Sequence, residues 1–191
     1  MKLRRWVLAA TAVLSGVGGH ALGAEIVLEQ SAVQKLVIEG LFKDNGRYYL
    51  QKGVCSAYLE NPTTTLDGGR VVIRSRLSGR FGAVVGNECF GVGLASWTVV
   101  SGAPSAQGSV VRLDDIRLDD VGDPDARLLL NSGLVPSLPT VFRLDVLQSV
   151  RAMLQGTNSQ IQADVQALNI EAVRAAANQL SIRFDFRLVG R

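Results

Sequence analysis

The stretch RVVIRSRLSGRF, residues 70–81, alternates with a period of two. Val71, Ile73, Ser75, Leu77, Gly79 and Phe81 share one face, and Val72, Arg74, Arg76, Ser78 and Arg80 share the other. Successive side chains of a strand point to opposite faces, so this pattern predicts a half-buried antiparallel strand with a wet arginine face. LSIRFDFRL, residues 180–188, repeats the pattern near the C-terminus. Leu180, Ile182, Phe184, Phe186 and Leu188 stand on one side, and Ser181, Arg183, Asp185 and Arg187 on the other.

Working outward from residue 70, Asp67-Gly68-Gly69 signals a tight turn and Asn61-Pro62 predicts a break. Residues 47–60 carry Tyr48, Tyr49, Val54, Cys55, Ala57 and Leu59 at strand spacing. Before them, EIVL (25–28) reads as a short strand entering a helix that Gln30 or Ser31 caps. Ala32, Val33, Leu36, Val37, Gly40 and Leu41 follow at helical spacing, Ile38 and Phe42 broaden that face, and Asp44-Asn45-Gly46 ends the helix. On the C-terminal side, CFGVGLASWTVVS (89–101) contains Gly91 and Gly93, which predict curvature or close packing. Ala103-Pro104-Ser105 reads as a loop. In 108–121 the alternation slips by one near Asp114-Asp115, which predicts a bulge.

Asp123-Pro124 is a helix start, with Asp as N-cap and Pro at the first helical position. The pattern carries that helix through Asn131 to a stop at Gly133, with Pro136 and Pro139 in an irregular link. Asp145 opens another helix that Gly156 terminates, and residues 160–173 read as a strand. About six strands and three helices result, an α+β class with a curved antiparallel sheet wrapped around a helix.

This order of elements resembles a known family. IVLEQSAVQKLVIEGLF, then YLENPTTTLDGGRVVIRSRL, a meander ending in VVRLDDIRLDDV, an extended LPTVFRL and a closing LSIRFDFRLV together look like the DUF1439-like bacterial envelope proteins. That family is related in shape to the tubular lipid-binding (TULIP) superfamily. The resemblance covers nearly all of residues 25–191 and implies a TULIP-like half-barrel, a twisted sheet rolled round a long helix with an apolar groove.

The N-terminus reads as an address. Met1-Lys2-Leu3-Arg4-Arg5 is basic, Trp6–Leu14 is an apolar run, and small residues lead to Ala24. This is the layout of a signal peptide over residues 1–24, cleaved after Ala24 or Gly23, and a single domain then occupies 25–191. The apolar run is too short to span a membrane, so no transmembrane span is expected after processing, and the mature chain is expected in the periplasm or secreted. The first cysteine is Cys55, so no lipid-accepting cysteine follows the cleavage point. Three of the 20 basic residues fall in 1–24, so the mature chain balances 17 bases against 17 acids. A nucleic-acid partner loses its electrostatic basis. Two cysteines in an exported chain suggest one disulfide, Cys55–Cys89.

Composition narrows the chemistry. With 47% hydrophobic residues and a net charge of +3, the chain is not disordered. Its one histidine, His20, lies in the signal segment, so a Ser-His-Asp triad, a Cys-His pair and an imidazole metal site are ruled out. Asp114-Asp115 and Asp119-Asp120 are adjacent pairs whose members point to opposite strand faces, whereas acid/base work needs carboxyls converging about 5–9 Å apart. Asp119, Asp120, Asp123 and Asp125 do not have EF-hand spacing. No glycine run forms the strand–GxGxxG–helix unit of a nucleotide site. The expectation is therefore a non-enzymatic protein without cofactor or metal. It would bind a lipid or other hydrophobic small molecule in an apolar groove lined by Val33, Leu36, Val37, Leu41, Trp97, Phe184 and Phe186. The alternative is a structural or accessory envelope protein with a closed core that binds a protein partner. Arg74, Arg76 and Arg80 read first as a solvated strand face and second as an attractor of anionic headgroups.

Overall fold

The structure, a computed structural model, describes residues 23–155 and 163–190. Residues 1–22 of the expected signal peptide, the expected helix terminator Gly156, and Ile161 lie outside the described residues. Strand β1 (Gly23–Glu29) leads into helix α1 (Gln30–Leu41). Five strands follow: β2 (Arg47–Gln51), β3 (Ala57–Asp67), β4 (Arg70–Val85), β5 (Glu88–Gln107) and β6 (Val110–Val121). Helix α2 (Pro124–Val141), strand β7 (Arg143–Asp145), helix α3 (Val146–Gln155) and strands β8 (Ala163–Ala176) and β9 (Gln179–Gly190) complete the chain. The class is α+β. Strands β2 to β7 form a six-stranded antiparallel sheet in sequence order, curled into a half-barrel of the shape that the family resemblance implies. A second, three-stranded sheet has the order β1-β9-β8.

The alternation has the predicted result from 71 to 77, but Gly79 and Phe81, expected on the buried face, are exposed, because β3 stops pairing with β4 at Gly79. Val71, Ile73, Ser75 and Leu77 are buried, while Arg74, Arg76 and Arg80 are exposed. Asp67 pairs with Arg70 across a two-residue turn in which Gly68 and Gly69 both have positive φ (54° and 77°), the conformation that twists a hairpin correctly and that glycine adopts without strain. The bulge near Asp114-Asp115 is present. Asp115 has φ 47°, and the pairing with β5 shifts between Ser101 and Ala103. The N-cap is present too, with the Asp123 carboxylate accepting from the Asp125 N–H at 2.8 Å.

Other expectations change. Asn61-Pro62 does not break the chain into two strands; β3 runs through it as a bulge with Asn61 at φ 53°. Gln34 of α1 makes that possible. Its amide donates to the Pro62 carbonyl at 2.8 Å and accepts from the Thr64 N–H, replacing the ladder bonds that the bulge removes. Ala103-Pro104-Ser105 is not a loop but part of β5, paired with Asp114, Leu113 and Arg112. Helix α2 does not stop at Gly133, and Pro136 and Pro139 are not an irregular link; the helix continues to Val141. Ala126, Leu130, Leu134 and Leu138 recur every four residues and are all buried against the sheet. That packing outweighs the roughly 3 kcal/mol that an interior proline costs. Strand β8 extends three residues past 173, so the Ala-rich 171–176 segment is strand because it pairs with β9 through Ala176↔Gln179.

The core sits between these layers. Val33, Val37 and Leu41 of α1 and Leu130, Leu134 and Leu138 of α2 fill the concave side of the half-barrel. A second cluster joins the small sheet to β6 and α3 through Val111, Val146, Val165, Ile182 and Phe184. Cys55 and Cys89 are joined, with S–S 2.04 Å and Cα–Cα 5.0 Å.

Candidate functional site: a filled interior and an exposed hairpin

The residues expected to line a groove do not form one surface. Val33, Val37 and Leu41 lie in the main core, with the two valines at 0% exposure. Leu36 is half-buried. Phe184 belongs to the second cluster, with Phe186 partly buried beside it at a ring separation of 5.9 Å. Trp97 is on the convex side. Its neighbours Thr98 and Val100 mark the core-facing parity of β5, so the odd position between Leu94 and Thr98 points outward. Trp97 is 44% exposed, pairs across the ladder with Arg76 and lies 4.1 Å beneath the Arg74 guanidinium. The structure therefore separates Trp97 from the apolar interior with which the sequence reading grouped it.

Inside the half-barrel one apolar gap remains, bounded by Leu41, Phe42, Tyr48, Leu59, Ile73, Ser75, Val100, Leu134 and Leu138. Its volume is about 20 Å³, room for roughly one water, against the several hundred ångströms cubed of an ordinary ligand pocket. Ser75, its polar member, is already bonded to Thr98 across the ladder at 3.3 Å.

The far end of β4 and β5 has a different character. β3 stops pairing with β4 at Ala57↔Gly79, and β6 pairs with β5 from Thr98↔Val121 onward. Between these limits β4 and β5 continue as a hairpin that turns at Gly86-Asn87, where Gly86 has φ 60°. The sequence alternation ended at residue 81 and did not reveal this projection. The signal for it is the apolar FGAVVGNECFGVG (81–93) with no neighbouring strand long enough to cover it.

The hairpin is held firmly at its base. The Gln51 side chain donates to the Gly82 carbonyl at 2.9 Å and accepts from the Gly82 N–H at 3.2 Å, and the Arg80 N–H bonds Ser56 O at 2.8 Å. Cys55–Cys89 ties its second strand to the same segment. Gly82 faces Gly91, and a Cβ on Gly91 would lie 2.0 Å from the Phe81 carbonyl oxygen, so the strands approach more closely there than any other residue permits.

Glu88 apart, the carboxylates lie away from the hairpin strands. Arg70 and Arg117 both bind Asp115, at 2.9 and 2.6 Å. The Arg70 hydrogen bond first, and then that of Arg117, holds the Asp115 carboxyl below its ordinary value. Lys52 does the same for Asp44. Asp119, Asp120, Asp123 and Asp125 are not brought together, and among the described residues no three His, Cys, Asp or Glu side chains converge on a point where a metal ion would bind. No helix among the described residues is long and apolar enough to cross a membrane. In comparisons with known proteins, the chain matches no family model and no curated protein. The likeness to DUF1439-like proteins rests on the order of elements and the short patterns that carry it.

Proposed function

We propose that this is a non-enzymatic binding protein of the bacterial cell envelope that works through its outer surface rather than through an internal cavity. The observation that carries the reading is the filled concave side: helices α1 and α2 occupy the volume that a carrier would leave for its ligand. Residues 1–24 would export the chain, and the disulfide accords with an oxidising compartment. Such an adaptor needs no catalytic group, only a rigid and accessible face.

A second reading, a carrier of lipid or another hydrophobic ligand, draws support from one feature. The wall of the small apolar gap includes α2, whose two interior prolines, Pro136 and Pro139, each remove a ladder bond. A ligand would enter by lifting α2 from the sheet.

Titration with a fluorescent fatty acid separates the two. The surface reading expects no saturable uptake by the wild type. Stoichiometric uptake that Leu138→Trp abolishes, in a variant whose melting temperature is preserved, would overturn it and establish the carrier.

A further inference from the structure

We infer that the β4–β5 hairpin is a membrane-docking finger that seats this protein on an anionic lipid surface; this names the target of the surface proposed above and rests on that reading. The first observation is where the apolar exposure lies. Of the ten large hydrophobic side chains exposed among the described residues, five are on the hairpin: Phe81, Val84, Val85, Phe90 and Val92. Val54 adds a sixth next to Cys55, which is covalently joined to the hairpin. Val85 and Phe90, at the tip, are 61% and 57% exposed. Scattered apolar residues need no explanation, but a concentration of this kind on one projecting element does.

The second observation is that the finger is built. The disulfide, the two bonds from Gln51 and the Gly82–Gly91 approach fix its conformation before any partner arrives. A preorganised surface loses little conformational freedom on binding.

The third observation selects the occupant. Arg74, Arg76 and Arg80 lie along the outer face of the same strand and are exposed; Val84 shares that face, and Phe81 and Val85 take the opposite one. None of these arginines has a carboxylate within ion-pair distance among the described residues, although Arg47, Lys52, Arg70, Arg112 and Arg117 all do. Glu88 is the one acid on the hairpin itself. Arg80 stands where the apolar segment meets the body of the protein. Apolar tip, cationic base and an exposed tryptophan under an arginine match the layers of a lipid surface from acyl chains to anionic headgroups.

A second copy of the chain fits worse. Mating two copies through the arginine face would set Arg74, Arg76 and Arg80 of one against those of the other, with Glu60 and Asp120 as the acids in the same cross-strand rows. The free edges of a two-stranded hairpin also limit depth, because unpaired N–H and C=O groups require water or headgroups. The finger therefore seats in the interface and does not span.

The test is flotation of the exported, folded protein with vesicles of phosphatidylglycerol and phosphatidylethanolamine, beside vesicles of phosphatidylcholine alone. Wild type is compared with Val85→Ser/Phe90→Ser and with Arg76→Gln/Arg80→Gln. All three share one N-terminus, so any binding by the first residues cancels. The substituted side chains are exposed, and melting temperatures verify the fold. The tip variant should lose at least tenfold in partitioning to both vesicle types. The arginine variant should lose about fivefold per arginine on anionic vesicles only, a loss that 0.5 M salt reproduces in the wild type. Wild type that does not float, or a tip variant that floats equally well, overturns the inference. So does a wild type whose self-association, measured by light scattering, is what the tip variant loses. If flotation fails while the fatty-acid titration stays negative, the docking inference falls and the surface reading stands.

Discussion

Reducing the Cys55–Cys89 bond should loosen the molecule in a definite order. The bond closes a loop with a sequence separation of 34, running from the end of β2 through β3 and β4 to the hairpin tip. On the chain-entropy account a loop of that length stabilises the folded state by about 4 kcal/mol. For a domain of this size each kcal/mol moves the melting temperature by about 2–4 °C, so Cys55→Ser/Cys89→Ser should melt about 8–15 °C lower. The loss should be localised. From Asp67↔Arg70 to Ala57↔Gly79 the β3–β4 ladder remains intact without the disulfide. Beyond Gly79 the hairpin keeps its own β4–β5 ladder, and the Gln51 and Ser56 bonds tie its base to the body. Amide exchange read by mass spectrometry should therefore speed up over residues 80–92 well before 70–78. A melting shift below about 3 °C, or equal acceleration along all of β4, would show the reasoning to be wrong.

Three further outcomes follow from single sites. Gly91→Ala would place a methyl 2.0 Å from the Phe81 carbonyl oxygen and should cost about 1–3 kcal/mol, whereas Gly93→Ala, with nothing within 4 Å, should be near neutral in the same thermal melt. Asp115 has its carboxyl held below the ordinary 3.8, so its contribution is present above about pH 4 and disappears as pH falls through the lower folded value. Asp115→Asn, whose side chain tolerates the positive φ, should therefore lower the urea midpoint at pH 7, by a difference from wild type that shrinks as the pH falls below about 4. Pro136→Ala restores a donor for the Ser132 carbonyl within α2, at an exposed position, and should raise stability by about 1–2 kcal/mol after the greater freedom of its unfolded chain is counted; a lower melting temperature would contradict this account of the helix.

Local signals in the sequence were reliable where one interaction decides the conformation. Asp67-Gly68-Gly69 is a turn because only glycine adopts two positive φ angles in succession without strain, and Asp123 caps because its carboxylate reaches a nearby N–H. The strand parity of Val71, Ile73 and Leu77 was legible for the same reason. Local rules failed where distant packing outweighed them. Gly133 and Pro136 are strong stop signals, but Leu134 and Leu138 are buried by strands more than 25 residues away in sequence. Asn61-Pro62 is absorbed because Gln34, 28 residues earlier, supplies the missing bonds. Parity would have placed Trp97 on the outer face, but the glycines at 91 and 93 obscured the count. Exposure of the 81–92 tip was illegible, since it depends on where β3 and β6 end rather than on the tip's own residues.

The first strand has the last one as its partner. Gly23–Glu29 pairs with Gln179–Asp185, whereas the β2 to β6 ladders join consecutive strands. A chain delivered N-terminus first can therefore complete much of the meander while β1 still waits, its Ile26 and Leu28 uncovered, for residues more than 150 positions behind it. Docking of β9 onto β1 then becomes the late, slow step that closes the molecule. Until it occurs, β1 presents an open strand that neighbouring chains can claim, and a chaperone would have that segment to protect. The same pairing brings residues near the two ends of the domain side by side, so a short linker between them and new termini opened at Gly68-Gly69 should give a permuted chain with the same sheets, in which β4 rather than β1 has a partner strand, β3, at the far end of the chain.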